Sequence, residues 1–100
     1  MLQAAEDALD LLEGKDIEDL VDDRTLGWSV LWLLTMIGEA ANHVSLEKRA
    51  EIPLPWSEMV GMRNRLIHGY FDLNLGIVHQ TVVMALPEIV ETLRDHLDGH

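Results

Sequence analysis

The chain has 100 residues, 48% of them hydrophobic and 25% charged, with a formal net charge of −11 and no cysteine. That length builds one hydrophobic core and leaves no room for a second module, so residues 1–100 are expected to form a single domain whose site is simple or shared between copies. The missing thiols exclude a disulfide framework and a thiolate zinc site and fit a reducing cytoplasm, while the charge excludes a surface that attracts nucleic acid all over.

Leu2, Ala5, Ala8, Leu9 and Leu12 recur at helical spacing, and Gly14 supplies a stop, which predicts a first amphipathic helix with an acidic outer face. Glu6, Asp7 and Asp10 interrupt its apolar positions, so no export signal is expected there. Asp16 can cap a short helical turn through Leu20, and Asp22 and Asp23 place negative charge where the dipole of a following helix favours it. That helix is expected from about Thr25 to Val44. Leu26, Val30, Leu33, Leu34, Ile37, Ala41 and Val44 form one wide apolar face, with Trp28 and Trp32 on an adjacent one. Its longest apolar stretch, Val30 to Leu34, is far too short to cross a bilayer and reads as buried core, so no membrane association is expected.

Ser45 to Ala50 is short and polar, and Pro53 and Pro55 break any continuing pattern. A new helix is expected from Pro55 or Trp56 to Gly69, with Met59, Val60, Met62, Leu66 and Ile67 as its apolar contacts. The last helix should open after Asp72 or Asn74 and run to about Leu97, kinked by Pro87. The expected fold class is all-α, a compact up-down bundle of four main helices. Charge is uneven along it: residues 1–23 carry a net −8, residues 24–70 a net +1 and residues 71–100 a net −4. The middle segment is the part that does not repel a polyanion.

That segment holds Arg63, Asn64, Arg65, His68 and Tyr70 beside Gly69. Arginine presents a planar fork of donors that matches phosphate oxygens, and histidine exchanges protons near neutrality. The combination suits RNA cleavage without a metal or other cofactor. On a continuous helix Arg63 and His68 lie roughly 140° apart at about 100° per residue. Either the helix ends near His68 and the imidazole swings round at Gly69, or two chains build a composite cleft.

The order Arg63, four residues, His68, one residue, Tyr70 resembles the Arg-x-x-x-x-His-x-Tyr signature of HepT-like toxins, minimal members of the HEPN superfamily of nucleases. Ile37-Gly38-Glu39-Ala40-Ala41, and Pro55-Trp56 followed by Gly61-Met62-Arg63-Asn64, are similar to further landmarks of that family and stand in the same order. The likeness runs from Thr25 to about Leu97. It implies a HEPN-like homodimer that joins two motifs across a twofold axis. In that cleft His68 would act as general acid or base on the 2′-hydroxyl or the 5′-oxygen, and Arg63 would stabilise charge on the phosphoryl oxygens. Asn64 would orient the histidine or a phosphate oxygen. The resemblance further implies the toxin of a type VII-like toxin–antitoxin pair, silenced when an MNT-type nucleotidyltransferase antitoxin attaches AMP to Tyr70.

Other readings compete. A non-catalytic helical module that binds and regulates a nucleotidyltransferase is the alternative, and a structural bundle without a site is the plainest. Glu39 and His43 stand four apart and invite a metal, but no further ligand follows at usable spacing, so a hydrogen-bonded pair is expected, with Glu39 able to support the cleft. Trp28, Trp32 and Trp56 read as packing or dimer contacts, and His79, His96 and His100 as surface residues.

Overall fold

The computed structural model of the chain describes residues 1–69 and 75–98. Its elements are α1 (Leu2–Leu12), α2 (Ile17–Asp22), α3 (Arg24–Asn42), α4 (Leu46–Glu51) and α5 (Trp56–Gly69). They are followed by α6 (Leu75–Gln80), a π-helical turn (Thr81–Ala85) and α7 (Leu86–Asp98), which run on as one composite helix. Among the described residues there is no strand, and the all-α expectation holds. The long helices are α1, α3, α5 and the composite last one.

Local chemistry sets the early boundaries. Gly14 takes φ +72°, a left-handed conformation that costs glycine little, and ends α1. Asp16 accepts from the Asp19 N–H at 3.1 Å while the Asp19 carboxylate accepts from the Asp16 N–H at 2.9 Å, a reciprocal box that starts α2. Asp23 then accepts from the Leu26 N–H at 3.1 Å and opens α3. The start falls one residue before the expected Thr25, and the end two residues before Val44.

The Ser45–Ala50 segment is helical, which was not expected. Ser45 caps α4 by accepting from the Lys48 N–H at 3.2 Å. Arg49 on α4 donates through Nε to the Val44 carbonyl and through Nη2 to the Ala41 carbonyl, at 3.1 and 3.0 Å, placing its cation at the C-terminal end of α3. Its guanidinium lies 5.9 Å from the centroid of the Trp56 ring. The Trp56 indole N–H in turn is shared between the Arg49 and Ile52 carbonyls. This short helix thereby ties the end of α3 to the start of α5.

In the last helix the disturbance attributed to Pro87 takes the form of a π-helical turn. Proline brings no N–H for the carbonyl four residues back, and its ring crowds that carbonyl. The turn just before it widens by one residue, so the Leu86 N–H reaches the Thr81 carbonyl. The Thr81 hydroxyl donates to the Ile77 carbonyl at 2.8 Å.

α3 is central, packed against α1, α2 and α5, and Val30, Val78, Val82 and Leu86 are the largest fully buried side chains. Arg94 of α7 reaches Glu6 of α1 through Nη2 at 2.7 Å. Trp56 joins the core, whereas Trp28 and Trp32 are 55% and 63% exposed. Val30 and Leu34 are buried as expected of that stretch, whereas Trp32 between them points outward, because residues two apart on a helix face roughly opposite ways. Among the described residues no helix is long and apolar enough to cross a membrane.

α3 and α5 approach each other tightly at Gly38. A Cβ there would stand 2.8 Å from the Met59 carbonyl oxygen and closer still to the Arg63 Cβ. Gly38→Ala should therefore lower stability by about 1–3 kcal/mol, the range for an overpacked core. Alanine's gain of roughly 1 kcal/mol in helix propensity cannot offset it while backbone blocks the space. Urea denaturation of wild type and variant checks this, and equal midpoints would contradict it.

Candidate active site

The close contact at Gly38 brings α5 within reach of the next residue along α3. Arg63, half-buried on α5, donates through Nε to Glu39 Oε2 at 2.9 Å and through Nη1 to Asn64 Oδ1 at 2.6 Å. Within the described residues these bonds occupy two of the five guanidinium N–H groups, which fixes the plane of the fork and leaves donors for a phosphate. The other carboxylate oxygen of Glu39 meets His43 Nε2 at 3.1 Å. One carboxylate therefore bridges a guanidinium and an imidazole.

The hydrogen bond from Arg63 holds the Glu39 carboxyl below the ordinary glutamate range. Partial burial works the other way, and the charge of Arg63 and the contact with His43 add to the lowering. Glu39 is thus an anion at neutral pH. Among the described residues no group of three or more histidines and acids is gathered to hold a metal ion.

His68 occupies the last turn of α5 and is exposed. α5 ends at Gly69, as expected, and His68 itself stands on its last regular turn. Arg63 and His68 keep the roughly 140° separation of a regular helix. Within one chain, Arg63, Asn64 and Glu39 come together as a cluster and His68 faces elsewhere. Tyr70 lies outside the described residues. Arg65 is exposed, in keeping with a solvated charge.

The histidine that does share the cluster is His43, which sequence reasoning placed in a simple pair with Glu39. The signal that joins it to Arg63 is the Gly38-Glu39 step, a residue without a side chain beside an acid, but the partner helix is 24 residues away and spacing alone does not name it.

Acid should undo this arrangement. A carboxylate whose folded pKa lies below its ordinary value of 4.5 contributes stability that is fully present above that value and lost as pH falls through the lowered one. The urea midpoints of wild type and Glu39→Gln should accordingly differ most near neutrality and converge in acid. A gap that did not change with pH would show that the ionisation of Glu39 is not linked to folding.

Comparison with known proteins gives concordant results. The family described as "Ribonuclease HepT-like" matches residues 1–95. The chain is 34% identical over 98 residues to "Putative RNase TTE0752" of Caldanaerobacter subterraneus subsp. tengcongensis, covering 97% of this chain and 88% of that protein. It is 31% identical over 90 residues to "Putative RNase MJ1380" of Methanocaldococcus jannaschii, covering 89% and 83%. It is also 34% identical over 73 residues to the "Probable ribonuclease HepT" of Thermococcus cleftensis, covering 72% and 66%. No solved structure matches.

Proposed function

Because the chain belongs to the HepT-like ribonuclease family and is a ribonuclease, we propose that it is a metal-independent endoribonuclease whose cleft is completed by a second copy of the chain. The observation that carries this reading is the Arg63 fork, held by Glu39 and Asn64, on the same helix as an exposed His68. RNA supplies its own nucleophile. The 2′-oxygen attacks phosphorus, the P–O5′ bond breaks, and His68 handles one of the two proton transfers. Arg63 stabilises the negative charge gathered on the non-bridging oxygens, with Asn64 keeping the fork in plane and Arg65 available to the backbone. The products are a 2′,3′-cyclic phosphate and a 5′-hydroxyl, and DNA is spared for want of the 2′-hydroxyl.

The same reading makes the protein a cytoplasmic toxin of a type VII-like toxin–antitoxin pair. Its antitoxin would be an MNT-type nucleotidyltransferase that attaches AMP to Tyr70. Anionic nucleotides placed two residues from His68 would repel RNA from the cleft.

Cleavage of a labelled single-stranded RNA in excess EDTA tests the chemistry. Wild type should yield cyclic-phosphate ends, His68→Ala should lose about 10²–10⁴-fold in rate and Arg63→Ala about 10²–10³-fold. Folded wild-type protein with unmodified Tyr70 that left the RNA intact would refute the enzyme.

Mixing variants tests the shared cleft. The helical separation of Arg63 from His68 supports a site that takes the arginine of one copy and the histidine of the other. A heterodimer of one Arg63→Ala chain and one His68→Ala chain would then hold one intact site and recover up to half of wild-type activity. Two inactive proteins that stayed inactive after exchange into heterodimers would place both residues in a site within one chain.

A further inference from the structure

We propose that His43 is the second proton-transfer group of the cleavage, acting as general acid on the leaving 5′-oxygen while His68 serves as base on the 2′-hydroxyl. The assignment rests on the ribonuclease reading above and extends it to a residue outside the Arg-x-x-x-x-His segment. Transesterification moves two protons, one off the nucleophile and one onto the leaving group, and a site that takes one arginine and one histidine from the two copies holds a single His68 for both.

His43 is tied to the phosphate-binding fork through Glu39. Its Nε2 is 3.1 Å from Glu39 Oε1, and the sister oxygen of that carboxylate binds Arg63 Nε at 2.9 Å, so the imidazole and the phosphate-binding fork share one anchor. The bond to Glu39 fixes the ring through one nitrogen and turns Nδ1 away from the carboxylate. The side chain is 75% exposed, which leaves it accessible to a substrate held by Arg63. A carboxylate that orients an imidazole through one nitrogen while the other serves the reaction is a recurring catalytic device. In the step itself the P–O5′ bond breaks as Nδ1–H of His43 passes its proton to O5′, and His68 takes the proton of the 2′-oxygen as the new P–O2′ bond forms. Water then returns each ring to its starting state.

The test compares wild type, His43→Gln and His68→Ala on two substrates: ordinary RNA and the same RNA with a sulfur in place of the scissile 5′-oxygen, a leaving group that departs without protonation. The side-chain amide introduced by His43→Gln can still donate to Glu39, so the anchor of Arg63 is kept while the proton is lost. His43→Gln should slow cleavage of ordinary RNA by about 10²–10⁴-fold and cleave the sulfur-containing RNA within a few-fold of wild type, whereas His68→Ala should be slow on both. Wild-type rates for His43→Gln on ordinary RNA would overturn the assignment, as would an equal loss on both substrates, which would make His43 a positioning residue for Glu39. Failure of wild type on both substrates would instead sink the ribonuclease reading, and this inference with it.

Discussion

The candidate site depends on how closely α5 can lie against α3 at Gly38. The bare α-carbon admits the Met59 carbonyl and the first carbons of Arg63, and only then does the guanidinium reach the carboxylate one residue further along α3. The ion pair itself does not produce this geometry. A half-exposed pair contributes roughly 0–1 kcal/mol, whereas each large apolar side chain fully buried contributes about 1.5–3 kcal/mol. Leu34 and Ile37 from α3, with Met59 and Leu66 from α5, belong to the core that sets the helices in place. The polar cluster is carried on that packing.

Helix by helix, much of this was open to a reader of the chain. Gly14, Asp16 and Asp23 mark boundaries because each acts on its nearest neighbours, and such signals survive in sequence order. The short helix at Leu46–Glu51 was missed because it buries none of its side chains, so no apolar period betrays it, and its role lies in what Arg49 does for the carbonyls of α3 and the ring of Trp56. Reading the run Val30 to Leu34 as buried core swept in Trp32, which helical periodicity had set on an adjacent face and which is exposed. The π-helical turn was legible only as a disturbance near Pro87. At the site, Arg63, Asn64, Glu39 and His68 were named from residue chemistry and resemblance, but the sharing of Glu39 between Arg63 and His43 was not, because it joins helices far apart in the chain.

Electrostatics shape how such a site must work. Most of the negative charge belongs to the ends of the chain, and the segment holding Arg63 and His68 is nearly neutral. Long-range attraction therefore cannot gather a polyanion onto this protein. Recognition has to come from short-range contacts, and the fork of Arg63 is suited to that because its direction is fixed before substrate arrives. Glu39 neutralises part of the arginine's charge, a cost in attraction that is exchanged for a defined geometry.

The uneven placing of the tryptophans bears on how the protein can be observed. Trp56 is enclosed against α4, while Trp28 and Trp32 stand largely in water on α3. Indole emission shifts to the red on entering water, so two of the three chromophores already emit in the folded monomer much as they would in an unfolded chain. Intrinsic fluorescence is consequently a blunt reporter of unfolding for an isolated chain. It becomes a sensitive reporter of anything that settles on the outer face of α3 and draws those rings out of solvent.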